Sequence, residues 1–313
     1  DDGRRRQQRS PARPLDGPQQ YSPARPCAFD GFESGCALRQ TLEQTPEGVI
    51  ATIRASRLRG RGGAGFATGQ KWEFARNAPG QRRYVLCNAD EGEPGTFKDR
   101  VLLTECPDQV FEGMTVAGYA LGSSAGIVYL RGEYAYLRAF LEHVLECRRQ
   151  QGLLGKAILG RPGFDFDIRI QLGAGAYVCG EETALISSCE GLRGDPKNRP
   201  PFPAQQGYRG SPTIVNNVET FSAAARIMQR GADWFAAMGS ERTTGTKVLS
   251  ICGDCRKPGV YEVPFGISAR ELLDMADADN PGAMLIGGPC RQMIGPERFG
   301  GQICYDDLAT GGA

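Results

Sequence analysis

Gly126-Ile127-Val128-Tyr129-Leu130 is an apolar run, followed by Tyr134 to Arg149 and then by Phe166 to Leu172. The first reads as a buried strand. The second carries Leu137, Phe140, Leu141, Val144 and Leu145 on one stripe at helical spacing. The third places Ile168 and Ile170 on one face, as a strand does. Strand, helix and strand of these lengths predict a crossover unit with parallel strands. The alternation continues outward. Upstream, Pro46 to Ile53 predicts a helix, with Thr45 as N-cap and Pro46 at its first position. Tyr84-Val85-Leu86-Cys87 predicts a strand, and Asp108 to Leu121 a helix stopped by Gly122. Downstream, Glu181 to Cys189 predicts another helix. The expected class is α/β with a largely parallel sheet.

The pattern changes after Gly239. Lys247 to Cys252 and Val260 to Val263 read as a hairpin turned by Lys257-Pro258-Gly259. Ser268 is expected to cap a helix running through Met275, and Ala283 to Ile286 to form a strand. These make a small α+β unit. At the other end, Asp1 to about Pro26 is rich in Arg, Gln and Pro, with too little apolar surface to offset the entropy of ordering. The division expected is a disordered tail over 1–30, an α/β domain over 31–240 and a second domain over 243–313. The Arg4-Arg5-Arg6 cluster reads as solvated, with contact to an acidic partner as the alternative.

Composition narrows the chemistry. Of 313 residues 43 are glycine, about 14% against a usual ~7%, so loops must hold the excess. The net charge of +1 carries no electrostatic footprint for nucleic acid. One histidine, His143, makes His-based metal sites and Ser-His-Asp triads poor readings, and its place in an amphipathic helix reads as structural. The uncharged run Gly113 to Leu130 is interrupted by glycines and serines and does not read as a membrane span. A polar N-terminus shows no secretory signal, so the 11 cysteines read as reduced cytosolic thiols or metal ligands rather than a disulfide framework. Starting at Asp1 rather than Met, the chain reads as a possible fragment.

Four segments carry candidate chemistry. Gly60-Arg61-Gly62-Gly63-Ala64-Gly65 matches G-x-G-x-x-G, but a helix rather than a strand precedes it, so the usual dinucleotide context is missing. Its glycines still permit close backbone approach, and Arg61 and Lys71 can meet phosphate. Asn88-Ala89-Asp90-Glu91-Gly92-Glu93 follows a strand, where an amide and three acids can bind a ring edge or a ribose, or form an exposed turn. Gly173 to Thr183 is a second glycine-rich turn; Glu181 and Glu182 either cap the next helix or face a ligand. Pro200-Pro201-Phe202-Pro203 reads as a rigid wall, and Pro212 to Thr220 as an amide-rich turn into a helix. Cys252-Gly253-Asp254-Cys255 has no second pair at zinc-site spacing and reads as part of the hairpin, so no metal site is expected.

Leu58 to Phe66, Cys87 to Arg100, Gly173 to Leu185 and Pro212 to Thr220, in this order, closely resemble the flavin-binding, NADH-oxidising subunit of respiratory complex I. They look nearest to the diaphorase subunits of NAD-reducing hydrogenases and NAD-dependent formate dehydrogenases. The resemblance covers about Leu42 to Asp307. It implies an atypical Rossmann-like domain binding FMN and NAD(H) in one cleft, followed by a ubiquitin-like β-grasp domain. By motif match Gly62, Gly63, Lys71, Asn88, Asp90, Tyr177, Gly180, Val215, Asn216 and Asn217 would surround FMN. Gly60, Arg61, Gly65, Phe66, Phe74, Glu93, Glu182, Arg199 and Phe202 would meet the dinucleotide, Arg199 standing where the family more often has Lys. Glu91 and Glu181 would tune the flavin electrostatically, with hydride chemistry left to the cofactors. The family also carries a C-terminal [4Fe–4S] bundle whose C-x-x-C-x-x-C run does not occur within these 313 residues. Implied partners are NADH or NAD⁺ and iron–sulfur subunits of a larger complex, cytoplasmic, and peripheral to the membrane where that complex is membrane-bound.

Overall fold

The computed structural model describes Gln20–Pro23 and residues 29–310, apart from 241 and 290. The Arg4-Arg5-Arg6 cluster and most of the tail lie outside the described residues. Within the tail region Gln20–Pro23 form strand β1, paired parallel with Gly259–Glu262. Helices α1 (Cys36–Leu42) and α2 (Pro46–Ala55) follow. Thr45 caps α2 by accepting from the Gly48 N–H, with Pro46 at the first position, as expected. The glycine-rich stretch Gly60 to Gly69 reads from sequence as one loop, but it ends at Ala67, because Thr68–Asn77 form α3.

The central unit then alternates β2 (Tyr84–Ala89), α4 (Lys98–Glu105), α5 (Pro107–Leu121) and β3 (Ala125–Leu130). Gly122 ends α5 in the left-handed region at φ 69°. The next helix starts later than its stripe suggested. Gly132–Leu137 form a 3₁₀ turn, and α6 spans Arg138–Gln150. After it come β4 (Asp167–Leu172), α7 (Glu182–Cys189), β5 (Thr213–Asn217), α8 (Val218–Arg230) and α9 (Ala232–Ala236). The four strands are all parallel in the order β4-β3-β2-β5. Counted from β2, that is the 3-2-1-4 order of a mononucleotide-binding half, and the order reverses between β2 and β5.

The second unit comprises β6 (Thr246–Ile251), β7 (Gly259–Pro264), α10 (Ala269–Met275), β8 (Met284–Ile286) and β9 (Gln292–Ile294). Ser268 and Glu271 form a full capping box on α10. β6 and β7 are the expected hairpin, with β1 added parallel to β7. β8 and β9 pair with each other in a separate two-stranded sheet. The β6–β7 sheet has two working faces, because side chains alternate along a strand. Val248 and Val260 join the main core, while Leu249, Tyr261 and Val263 pack with Leu272, Ile286, Phe299 and Ile303 in a second core. Cys252 and Cys255 sit in the β6–β7 connection. Among the described residues no His, Cys, Asp or Glu cluster is arranged to hold a metal.

Candidate functional site

Open parallel sheets bind ligands beyond their carboxyl strand ends, where the strand order reverses. A cavity of about 1130 Å³ lies there in this chain. Its lining includes Asn88 at the end of β2 and Val215, Asn216 and Asn217 at the end of β5. A single ligand pocket is usually ~300–1000 Å³, so this one has room for more than one ring system.

The glycine loop forms one wall, contributing Gly60, Gly62, Gly63, Ala64, Gly65 and Phe66. It runs between α2 and α3 and is closed by the Gly60 N–H donating to the Phe66 carbonyl at 2.9 Å. A Cβ on Gly62 would lie 2.8 Å from the Asn217 Cβ, so only glycine lets the loop approach the start of α8. A Cβ on Gly63 would meet no atom and would stand in open space. The N–H groups of Gly62, Gly63, Ala64 and Gly65 donate to no acceptor among the described residues. Arg61, expected at the nucleotide, points the other way. Its buried guanidinium donates to the carbonyls of Arg59, Thr244 and Thr246.

The opposite wall brings together Gly180, Glu181, Glu182, Arg199 and Phe202. Asn88 Nδ2 donates to the Gly180 carbonyl at 2.8 Å, tying β2 to the turn before α7. Glu181 is the N-cap of α7, accepting from the N–H groups of Thr183 and Ala184, so the capping reading holds for it even as it lines the cavity. Glu182 accepts from Arg199 at 2.6 Å and lies 3.5 Å from Lys71 Nζ. Lys71 also donates to the Val215 carbonyl at 3.1 Å, so both cavity cations are held by anchored acceptors. Phe66, Phe74 and Phe202 line the cavity about half exposed, an apolar rim that a lone globular surface rarely presents.

Four other expected residues do not line this cavity. Glu93 pairs with the Tyr177 hydroxyl at 2.7 Å, with Tyr177 largely exposed. Asp90 has one buried, unpartnered carboxylate oxygen, and burial pushes its carboxyl up to about 6, with Arg131 opposing. Glu91 is buried and accepts from the N–H groups of Asp99 and Arg100 and from the Tyr134 hydroxyl. Burial, reinforced by Asp99, pushes Glu91 up to about 7. Asn216 and Asn217 line the cavity but spend side-chain groups on the protein. Trp72 donates to Asn216 at 3.0 Å, while Asn217 caps α8 and donates to Asp99 at 2.6 Å.

Sequence reasoning missed a buried charge cluster under this site. Glu219 accepts from Lys98 at 2.9 Å and Lys247 at 2.8 Å, with Arg61 at 4.0 Å, and Lys98 also bonds Asp99 at 2.7 Å. Burial alone would raise the Glu219 carboxyl, but Lys247, Lys98 and Arg61 together hold it down at about 2. Lys247 is pushed down to about 7 by burial, against the pull of Glu219. Lys98 is held above its ordinary range by Asp99, Glu219 and Glu91, which outweigh its burial. No local signal marked Lys247, whose partners are distant in sequence.

Residues 53–226 match the family model described as the Nuo51 FMN-binding domain. The chain is 58% identical over 287 residues to the NAD-reducing hydrogenase HoxS subunit alpha of Cupriavidus necator, covering 90% of this chain and 48% of that protein. It is 45% identical over 283 residues to a subunit of the NADH-quinone oxidoreductase of Rhizobium meliloti, covering 88% of this chain and 67% of that protein. The solved NAD⁺-reducing [NiFe]-hydrogenase in its H₂-reduced state superposes with a TM-score of 0.82 at 40% identity, covering 91% of this chain and 49% of that one. The chain thus spans about half to two thirds of the length of these relatives. With that match over the glycine loop, the β2 turn and the start of α8, the chain belongs to the family of the Nuo51 FMN-binding domain.

Proposed function

We propose that the cleft binds FMN and NAD(H) together and exchanges hydride between them, as the diaphorase part of a multisubunit redox enzyme. The observation that carries this is the pairing of walls at the β2/β5 switch point. One wall is a glycine loop with four N–H groups free for an anion, and the rim carries three half-exposed phenylalanines. The residues fit the group. Free loop amides suit a phosphate, and Gly63 leaves space for a ring.

A bound flavin supplies the hydride-accepting centre for a nicotinamide. The chain's own part is binding and orientation. The amides of Gly62 to Gly65 hold the flavin phosphate, while Phe66, Phe74 and Phe202 stack the dinucleotide. Glu182, fixed by Arg199 and Lys71, accepts from a ribose hydroxyl. Glu181 and Glu182 are balanced by Lys71 and Arg199, so the charged side chains lining the cavity sum to zero. We read the hairpin–helix unit after Gly239 as a β-grasp-like module. Partner subunits that carry electrons onward follow from the names of the relatives. No described helix is long and apolar enough to cross a membrane.

Adding FMN to the apo chain and titrating NADH tests this directly. The expected result is stoichiometric flavin whose visible absorbance bleaches with NADH. Tight flavin binding without bleaching overturns the hydride reading, and no flavin binding overturns the site.

A further inference from the structure

The glycine loop is fastened from two sides. Locally, the Gly60–Phe66 backbone bond and the Arg59 Nε bond to the Gly65 carbonyl close it, the Thr68 N–H donates to the Leu58 carbonyl at its base, and from α8 the Thr220 hydroxyl accepts the Arg61 N–H at 2.9 Å. Further anchors come from the second unit. Tyr305 donates its hydroxyl to the Gly60 carbonyl. Its ring lies under the Arg59 guanidinium, 4.2 Å from the ring centroid, and Arg59 Nε donates to the Gly65 carbonyl at 2.7 Å. At Gly65, with φ +66°, a Cβ would lie 2.5 Å from the same ring, so tyrosine and glycine fit as one packed pair.

Arg61 is the second bolt. It donates at 2.9 Å to the Thr244 carbonyl and at 3.1 Å to the Thr246 carbonyl, and its guanidinium lies 4.7 Å over the Phe265 ring. Lys247 reaches back to the Arg61 carbonyl at 3.4 Å. A planar fork with several donors suits three carbonyls in different directions, which a single ammonium cannot serve. Glu219 balances the buried charge.

Resting on the flavin reading above, we propose that the unit beyond residue 243 clamps the glycine loop into its phosphate-holding shape, with Arg61 and Tyr305 as positioning residues. Neither side chain touches the cofactor. Both fix where the loop amides point, and the residue that sequence alone assigns to the nucleotide acts from behind the loop.

The test compares full-length Arg61→Lys and Tyr305→Phe with wild type, titrating each apo chain with FMN and with riboflavin. The two ligands share the ring and differ in the phosphate, so general loosening weakens both alike, whereas a misplaced cradle weakens FMN selectively. Tyr305→Phe keeps the ring under Arg59 and removes only the hydroxyl bond, so the expected loss of preference for FMN over riboflavin is about fivefold to tenfold. Arg61→Lys loses several bonds and should lower that preference about a hundredfold. If Arg61→Lys does not fold, Tyr305→Phe decides alone. A preference retained in the variants overturns the clamp and leaves the flavin reading intact. A wild type that binds FMN no better than riboflavin overturns both.

Discussion

Lys247 Nζ sits 2.8 Å from Glu219 Oε2, joining β6 to the first turn of α8 beneath the cavity, both side chains fully buried. The surrounding cluster sets three cations, Lys98, Lys247 and Arg61, against two carboxylates, Glu219 and Asp99. One cation is in excess, and Lys247 is the group that burial pulls down in pKa, with Lys98 adding to the shift against the pull of Glu219.

That imbalance predicts an asymmetry. Lys247→Met removes the surplus charge and leaves Glu219 its bonds from Lys98 and the Val248 N–H, so the loss should stay under about 2 kcal/mol. Glu219→Gln keeps the shape but leaves three buried cations facing Asp99, and should cost about 3–5 kcal/mol. Urea denaturation of both variants measures the difference. Equal losses would show that the cluster is not governed by its charge count.

Gly63→Val should lose flavin while remaining folded. A Cβ at this position has no protein atom within 4 Å, and Gly63 lines the cavity, so the branched side chain takes up cavity space. Flavin absorbance per protein is expected to fall to background, with the thermal midpoint within a few degrees of wild type. Full flavin occupancy in this variant removes the loop from the binding site.

Glu182→Gln should weaken NADH more than FMN. The carboxylate is already oriented by Arg199 and Lys71, so a ribose hydroxyl meets a fixed acceptor. Loss of a charge-assisted bond costs roughly 1.5–3 kcal/mol, about tenfold to a hundredfold in affinity. Titration of NADH into flavin-loaded protein gives the number, and unchanged affinity would leave Glu182 only its structural contacts.

Glu91 makes stability depend on pH. Burial raises its carboxyl from 4.5 to about 7, so across that window the folded chain keeps a proton that the unfolded chain has released. Unfolding then sheds a proton, and the Glu91 contribution to stability falls as pH rises from about 4.5 to about 7. Glu91→Gln cannot titrate, and its urea midpoint should vary less with pH than that of wild type. Parallel curves for the two proteins would sink this assignment.

Local signals read well from the sequence because their physics is local. Thr45 with Pro46, Ser268 and Gly122 mark helix ends through contacts a few residues away. Three strands of the parallel sheet were legible in their apolar runs, but β5 (Thr213–Asn217) was read as an amide-rich turn before a helix, because its asparagines hide a strand whose pairing with β2 is distant in sequence. Where distant segments decide, the sequence was silent. α3 begins after Ala67, which offers no side-chain cap, so the loop looked longer. Tyr134 leaves the helix it seemed to start because its hydroxyl is spent on Glu91, 43 residues upstream. Arg61 looked like a phosphate ligand because its acceptors, Thr244 and Thr246, lie more than 180 residues later. Lys71 and Arg199 line the cavity together with Glu182, the acid that holds both; the sequence left Glu182 between a helix cap and a ligand contact and gave no sign of that pairing.

The distance between the loop and its anchors also separates them in time. Gly60 and Tyr305 are 245 residues apart. At the ~5–20 residues per second of ribosomal synthesis, the loop is made roughly 12–50 s before its last anchor. A growing chain that has completed the four-stranded sheet therefore carries a cleft with an unfastened wall, and maturation of the holoprotein waits on a segment made 245 residues after the loop. Stalled ribosome complexes of increasing length, assayed for bound flavin, should show no capture until Tyr305 has cleared the exit tunnel; capture by chains ending before Thr244 would place the fastening elsewhere.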